Sequence, residues 1–195
     1  MIPMNFDRMR HALRGAFFNM LKQPERALEA YRDSHRADPR HVGTLRMLGW
    51  LEAQQTHWPA AEAWFVRAVE IEPDDAHTWF NLAYARDQGG MDDAALAAFK
   101  RATELDPNND RAWYGLGMLH ARHGRHRDAA AALTEAGKLQ PMNGLAWYAL
   151  GMAWQHCNEP EKVAEVIEHA LTHDPQTAQR LIRDTGRSDY AHRLG

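Results

Sequence analysis

Five prolines recur at a constant interval along this chain of 195 residues. Pro39, Pro73, Pro107, Pro141 and Pro175 each stand 34 residues after the one before. Loops placed independently of one another would not repeat this interval four times, so the chain consists of repeated units of 34 residues. Units of this size bury their apolar sides against their neighbours, which predicts a stacked repeat array.

Each unit contains two apolar stripes with helical spacing. The units align when each begins 31 residues before its proline, at Arg8, Val42, Ala76, Asp110 and Gly144. Positions 4, 7, 8 and 11 then form one face of a first helix, and positions 20, 24 and 27 one face of a second. Small residues at positions 8, 20 and 27 allow close approach of the two backbones, and the proline ends the second helix. We therefore expect burial at the helix crossings of Ala83, Ala95, Gly117 and Ala129.

These columns resemble the tetratricopeptide repeat family, whose pattern reads W-x2-L-G-x2-Y, then A-x3-F-x2-A, then P. Residues 76–107 and 110–141 match it closely, whereas the first unit is degenerate, with His11 and Arg14 where Trp and Leu are usual. The resemblance implies an all-α fold, a right-handed α-solenoid of five helix–turn–helix repeats with a C-terminal capping helix. Its predicted parts are an array over 1–175, with repeats 8–41, 42–75, 76–109, 110–143 and 144–177, and a capping helix and tail over 176–195.

The predicted capping segment has an apolar side formed by Ala178, Leu181 and Ile182 and is otherwise rich in arginine. End repeats need a polar outer face, so this segment is interpreted as a solvating cap. The sequence from Thr185 to Ser188 is expected to break it into two pieces.

A second stripe on the first helices is not required for hairpin packing. It comprises positions 2, 5, 6, 9, 12 and 13, is centred about 150° away from the packing stripe, and is rich in aromatic residues and methionine at positions 5, 6 and 9. In a right-handed stack the first helices line the concave side, so this stripe predicts a peptide-binding groove. Alternatively, neighbouring helices and the cap cover it. The candidate residues, with flanking arginines included, are Arg46, Met47, Trp50, Phe80, Asn81, Tyr84, Arg111, Tyr114, Met118, Tyr148 and Met152.

Some tetratricopeptide co-chaperones hold the C-terminal carboxylates of a peptide in a clamp of five basic and amide residues. By resemblance, Arg46 and Arg111 stand where that clamp has lysine, and Asn81 is identical. Trp50 and Gly115 depart from it, so an intact clamp is not predicted. The two arginines either anchor one acidic group or are ordinary solvated charges.

Composition narrows the possible partners. The chain has 23 basic and 26 acidic side chains, and residues 51–109 carry 4 basic and 11 acidic ones. This charge distribution argues against nucleic-acid and anionic-membrane binding.

The single cysteine, Cys157, excludes an intramolecular disulfide framework. No apolar run reaches the roughly 18 residues that span a bilayer, and no signal peptide is evident, so we expect a cytoplasmic protein. Arginine greatly exceeds lysine, which suggests a bacterial source.

No pattern of metal-binding or catalytic residues emerges. His169 and His173 are spaced i, i+4, and His120, His123 and His126 are evenly spaced, but a stable zinc site needs further ligands on one face. The sequence has no His-Glu-x-x-His motif and no phosphate-binding loop. We therefore predict no metal, no cofactor and no enzymatic activity.

Two functions remain. The favoured one is a non-catalytic interaction scaffold or adaptor that binds a peptide or helix of a partner protein in its concave groove. The alternative is a self-assembly module, in which the degenerate first repeat receives the end of another copy and homo-oligomers form.

Overall fold

The computed structural model of the protein describes residues 5–193. Within this range the chain forms eleven α-helices and one short 3-10 helix, and it contains no β-strand. The all-α prediction is therefore confirmed. In chain order the α-helices are α1 (Phe6–Met20), α2 (Pro24–Ala37), α3 (Val42–Gln54), α4 (Trp58–Ile71), α5 (Ala76–Gln88), α6 (Asp92–Leu105), α7 (Asp110–Arg122), α8 (His126–Leu139), α9 (Gly144–His156), α10 (Pro160–His173) and α11 (Pro175–Asp184), and the 3-10 helix spans Ser188–Arg193.

The repeat prolines follow the second helices, as predicted. Each lies two residues after the last residue of α2, α4, α6, α8 or α10. Proline cannot donate the backbone hydrogen bond that the next helical turn would need, which explains the constant end point. Pro175 has a further role, because it also occupies the first position of α11.

Polar side chains fix the beginnings of the first helices. Asp75, Asn109 and Asn143 precede α5, α7 and α9, and each accepts a hydrogen bond from a backbone N–H of the first turn. His41 does the same for α3 through its imidazole. These bonds satisfy donors that the helix leaves unpaired, so the helix starts recur with the sequence period.

Small residues occupy the helix crossings. Ala83, Ala95 and Ala129 have no exposed surface, and Gly117 is buried as well, which confirms this prediction. A β-carbon on Gly117 would lie 2.6 Å from Cγ of Leu133. The close approach of α7 and α8 therefore requires a residue without a side chain.

The chain divides into two compact units, one ending at Leu105 and the other beginning at Asp106. In the first unit α2 packs on α1 and α3, and α4 packs on α3 and α5. In the second unit α8 packs on α7 and α9, and α10 and α11 pack on each other and on α9. Leu150, Ile167 and Leu181 belong to one apolar cluster in that unit.

The C-terminal helix departs from the 34-residue register. That register would begin the next first helix at Ala178, but α11 begins at Pro175, one residue earlier than the predicted capping segment. Asp174 alone separates α10 from α11, and its side chain caps α11 by accepting from the backbone N–H of Thr177. The predicted break is present, because α11 ends at Asp184 and the 3-10 helix begins at Ser188.

Candidate functional site

In the first unit, positions 5, 6 and 9 lie on the sides of α3 and α5 that do not carry the packing stripe. Leu48 and Leu82, at position 7, are essentially without exposed surface. Trp50 and Tyr84, at position 9, are both exposed. The position-7 residues therefore pack the hairpins, while Trp50 and Tyr84 keep exposed contact area.

A pocket of about 540 Å³ opens on this side of the first unit. Four of the six predicted residues of this unit line it: Arg46, Met47, Trp50 and Asn81. The other lining residues, which the prediction omitted, are Asn19, Gly43 and His77.

Phe80 and Tyr84 do not line this pocket, because they pack against second helices. The ring of Phe80 lies 6.1 Å from that of Phe99 on α6, between centroids. The ring of Tyr84 meets that of Trp58 on α4 edge-on at 6.0 Å. Tyr84 is still exposed, so it offers a surface beside α5 that is separate from the pocket.

The polar groups of the first-unit pocket are connected to neighbouring side chains. Arg46 Nη1 donates to Asp75 Oδ2 at 2.6 Å, and Asn81 Nδ2 lies 3.2 Å from His77 Nδ1. Partial burial favours a higher pKa for Asp75. Hydrogen bonds from Thr78 and Arg46, together with the Arg46 charge, outweigh it and hold that pKa below its usual value. Arg46 thus has an acidic partner within the chain, and an acidic ligand would have to compete with it.

A second pocket, of about 350 Å³, lies within the second unit. Tyr114 and Met118 of α7 line it together with Tyr148 and Met152 of α9. These are four of the five residues predicted for this unit. The fifth, Arg111, is exposed on α7 and does not line this pocket.

The capping helix borders this second pocket through Arg180. The Arg180 guanidinium lies 3.8 Å above the ring of Tyr148, and the Tyr148 hydroxyl donates to Asp184 Oδ2 at 2.9 Å. Desolvation, and then this hydrogen bond, raise the pKa of Tyr148. Met118 and Leu145 remain exposed at the pocket, so α11 forms one wall of it and leaves it open.

Several lining residues were missed although their positions carried a signal. Leu145, Gly43 and His77 stand at position 2 of their repeats, and His156 stands at position 13. Positions 2, 12 and 13 belong to the same predicted stripe as positions 5, 6 and 9, so candidates drawn from the whole stripe would have included them. Arg180 had no such signal, because it belongs to the helix that leaves the register.

The histidines form ring stacks. His126 and His156 stack at 4.5 Å between centroids beside the second pocket, and His169 stacks on His173 at 4.2 Å. Burial, followed by the nearby Arg125 charge, lowers the pKa of His120.

Within residues 5–193, no group of three His, Cys, Asp or Glu side chains is placed to hold a metal ion. Over the same range, no helix combines the length and apolar character of a membrane-spanning segment.

The chain matches two models of tetratricopeptide repeats. A model described as TPR repeat matches residues 86–124, and a model described as tetratricopeptide repeat matches 21–76 and 114–176, which is more than half of the chain. No curated protein sequence matches it.

Solved structures similar to the chain share its fold at low sequence identity. MamA is 22% identical with a TM-score of 0.83, over 90% of this chain and 96% of that one. YrrB, described as a TPR protein with an unusual peptide-binding site, is 20% identical with a TM-score of 0.78, over 91% and 92%. PilF of Pseudomonas aeruginosa is 16% identical with a TM-score of 0.75, over 91% and 82%.

Proposed function

Since this chain belongs to the tetratricopeptide repeat family, we propose that it is a non-catalytic interaction scaffold. It binds a peptide or helix of a partner protein through positions 5, 6 and 9 of the first helices of its repeats. One observation carries the proposal. Tyr114, Met118, Tyr148 and Met152 all line a single open pocket in the second unit, although positions 5 and 9 are outside the stripe that packs the hairpins.

The chemistry of these four side chains suits a peptide. Tyrosine rings supply a large, stiff contact area with one polar end, and methionine adapts its shape to varied apolar partners. Tyr148 is held in place by Arg180 and Asp184, so binding does not require that ring to be ordered anew. The peptide-binding site named for the similar protein YrrB supports the same use of the fold.

The first-unit pocket offers a second and more polar contact region. Asn81 can bond to a peptide backbone through its amide, and Arg46 can share its guanidinium between Asp75 and an acidic ligand group. Trp50 supplies the apolar part of this region. The acidic stretch 51–109 favours a protein partner over a nucleic acid. A cytoplasmic location in a bacterium is part of the proposal, supported by the single cysteine and the excess of arginine.

Peptide selection followed by titration tests the proposal. Peptides selected from a random library against the full chain are titrated against the wild type and against Tyr114→Ala and Met118→Ala. We expect each variant to lose about 2 kcal/mol or more of binding free energy, because a few aromatic or adaptable residues dominate such interfaces. The matched control is Met142→Ala, which removes an exposed methionine that does not line either pocket.

Thermal melts of the same variants separate binding from folding. Unchanged affinity in both variants, with unchanged melts, would show that the pocket is not the site. A lowered melting temperature would show instead that these side chains serve the core.

Self-assembly through the end repeats is the second candidate function. Its support is the exposed apolar side of α1, but within the described residues α11 offers no matching exposed apolar side. The outer residues of α11, among them Gln176, Gln179 and Arg183, are polar and exposed. End-to-end assembly is therefore less well supported than binding of a partner, and sedimentation velocity of the full chain over a range of concentrations tests it.

A further inference from the structure

The outer side of α1 carries an apolar stripe that no helix covers in residues 5–193. Its members are 45–71% exposed, and at 100° per residue they fall within a sector of about 100°. Gly15, the one buried residue of α1, faces the opposite side of the helix. The stripe, called the α1 stripe below, consists of Phe6, Leu13, Phe17, Met20 and Leu21.

The other repeats show what normally covers this side of a first helix. At position 10, Leu51, Ala85 and Ala153 are at most 2% exposed. Leu51 shares an apolar cluster with Leu28 of α2, the second helix of the preceding repeat. In α1 the same position holds Phe17, which is 52% exposed. The missing cover is therefore a helix with an apolar side.

The charges around the α1 stripe indicate the sign of its partner. Arg10 lies within the stripe, Lys22 directly follows its last member, and both are exposed. Asp7 is the single acidic residue of α1 and lies 3.5 Å from Arg10, and Asp33 of α2 is paired with Arg14. A second copy docked through the same stripe would place like charges against each other, whereas acidic side chains on a partner would pair with these bases.

We propose that the α1 stripe docks an amphipathic helix of a partner protein whose apolar face is flanked by acidic residues. The partner helix takes the place that the second helix of a preceding repeat takes at α3, α5 and α9. Leu13 and Phe17 are its main apolar contacts, and Arg10 pairs with one of its carboxylates. None of the α1 stripe residues lines either pocket, so the inference does not depend on binding there, although Leu13 stands at position 6, the column of Met47 and Asn81.

Fluorescence anisotropy with designed peptides tests the inference on the full chain. The probe is an alanine-based helical peptide of about 18 residues with leucines at i, i+3, i+4 and i+7 and glutamates beside them. A second probe replaces the glutamates by lysines. We expect the wild type to bind the glutamate probe at least about tenfold more tightly than the lysine probe.

Three variants locate the binding. The double variant Leu13→Gln/Phe17→Gln is expected to weaken binding of the glutamate probe at least about tenfold. Arg10→Glu is expected to reverse the preference between the probes, and it keeps the apolar stripe intact if the double variant folds poorly. Met142→Gln, which lies elsewhere and lines neither pocket, is expected to leave the affinity unchanged.

Other outcomes overturn the inference. Equal binding of the two probes would remove the charge argument, and equal loss in Met142→Gln would show nonspecific adhesion. If sedimentation velocity shows that the wild type dimerises and that the Phe17→Gln variant is monomeric, the occupant of the α1 stripe is a second copy of the chain.

Discussion

Ala129 marks a point where one residue limits the distance between two helices. It has no exposed surface, and its carbonyl oxygen would lie 3.2 Å from a β-carbon placed on Gly117. We expect Ala129→Leu to lower the free energy of unfolding by about 1–3 kcal/mol, because the larger side chain must push α7 and α8 apart. Urea denaturation measures the change.

The same helix provides the control for this substitution. Ala131 is exposed on α8, so Ala131→Leu adds the same volume where there is room for it. Its free energy of unfolding should stay within about 0.5 kcal/mol of the wild type. Equal losses in the two variants would mean that helix propensity or solubility, and not the crossing, is responsible.

Asp75 is a residue whose charge should matter to stability. Its pKa lies below the usual value of about 3.9, so its contribution is fully present above that pH and is lost as the pH falls through the lowered pKa. Asp75→Asn keeps a capping side chain, as Asn109 and Asn143 do in the following repeats. We expect it to cost up to about 1 kcal/mol at pH 7, since Arg46 is partly exposed.

Urea midpoints measured from pH 7 down to about pH 2.5 check this expectation. The difference between wild type and Asp75→Asn should shrink below about pH 4. In an Arg46→Gln background the difference at pH 7 should also shrink, because the charge pair is already absent. A difference that is constant with pH would mean that capping geometry alone accounts for it.

Sequence reasoning at this scale succeeded where packing dictates residue size. The burial of Ala83 and Ala95 followed from their columns, because a crossing of two backbones restricts the volume of a side chain in every repeat. The pairing of Arg46 with Asp75 could not be predicted in the same way. Long charged side chains choose partners through loop and rotamer geometry, which a periodic pattern does not contain.

Among the α-helices, α1 has the fewest buried residues. Gly15 is its only buried residue within the described chain, and His11 and Arg14 stand where other repeats carry large packing residues. Repeat proteins open from such ends, since each repeat is stabilised by its neighbours. We expect hydrogen exchange, followed by mass spectrometry, to be fastest in α1 and slow in α5.

The control for this measurement is α11, the helix at the other end of the chain. Ala178, Leu181 and Ile182 are buried there, so its exchange should be slower than that of α1. Exchange in α1 as slow as in α5 would contradict the expectation. Hydrogen exchange in α1 that slows when the glutamate probe is added, but not when the lysine probe is added, would show that the glutamate probe covers the α1 stripe.

The elements that sequence reasoning placed well are those inside the period. The helices α3, α5, α7 and α9 begin at the residues that the alignment of units takes as repeat starts. The start of α11 was placed one residue late, because Asp174 and Pro175 supply a cap and a first helical residue without an intervening turn. A local start signal can override the period wherever both are present.

For the whole molecule, the 34-residue period was sufficient to predict the architecture but not the pockets. Aligning the repeats shows which positions are used in helix–helix packing and which are not, and so it predicted the stripe that contains Tyr114 and Tyr148. The second-unit pocket also needs Arg180, which belongs to the helix outside the period. Its outline therefore depends on a three-dimensional contact that no repeat column encodes.

The single residue between α10 and α11 has a consequence for how such a gene can lengthen or shorten. Recombination between repeats changes copy number in whole units, and a unit added between Asp75 and Ala76 meets neighbours with the same column residues. We expect a chain with residues 42–75 duplicated there to fold and to gain ellipticity by about one repeat. The same copy placed between His173 and Asp174 should destabilise the chain. It would separate α11 from α9 and so remove the contact between Leu181 and Gly151. Repeats can therefore be duplicated between interior repeats but not between α10 and α11, because α11 must stay packed against α9 and α10.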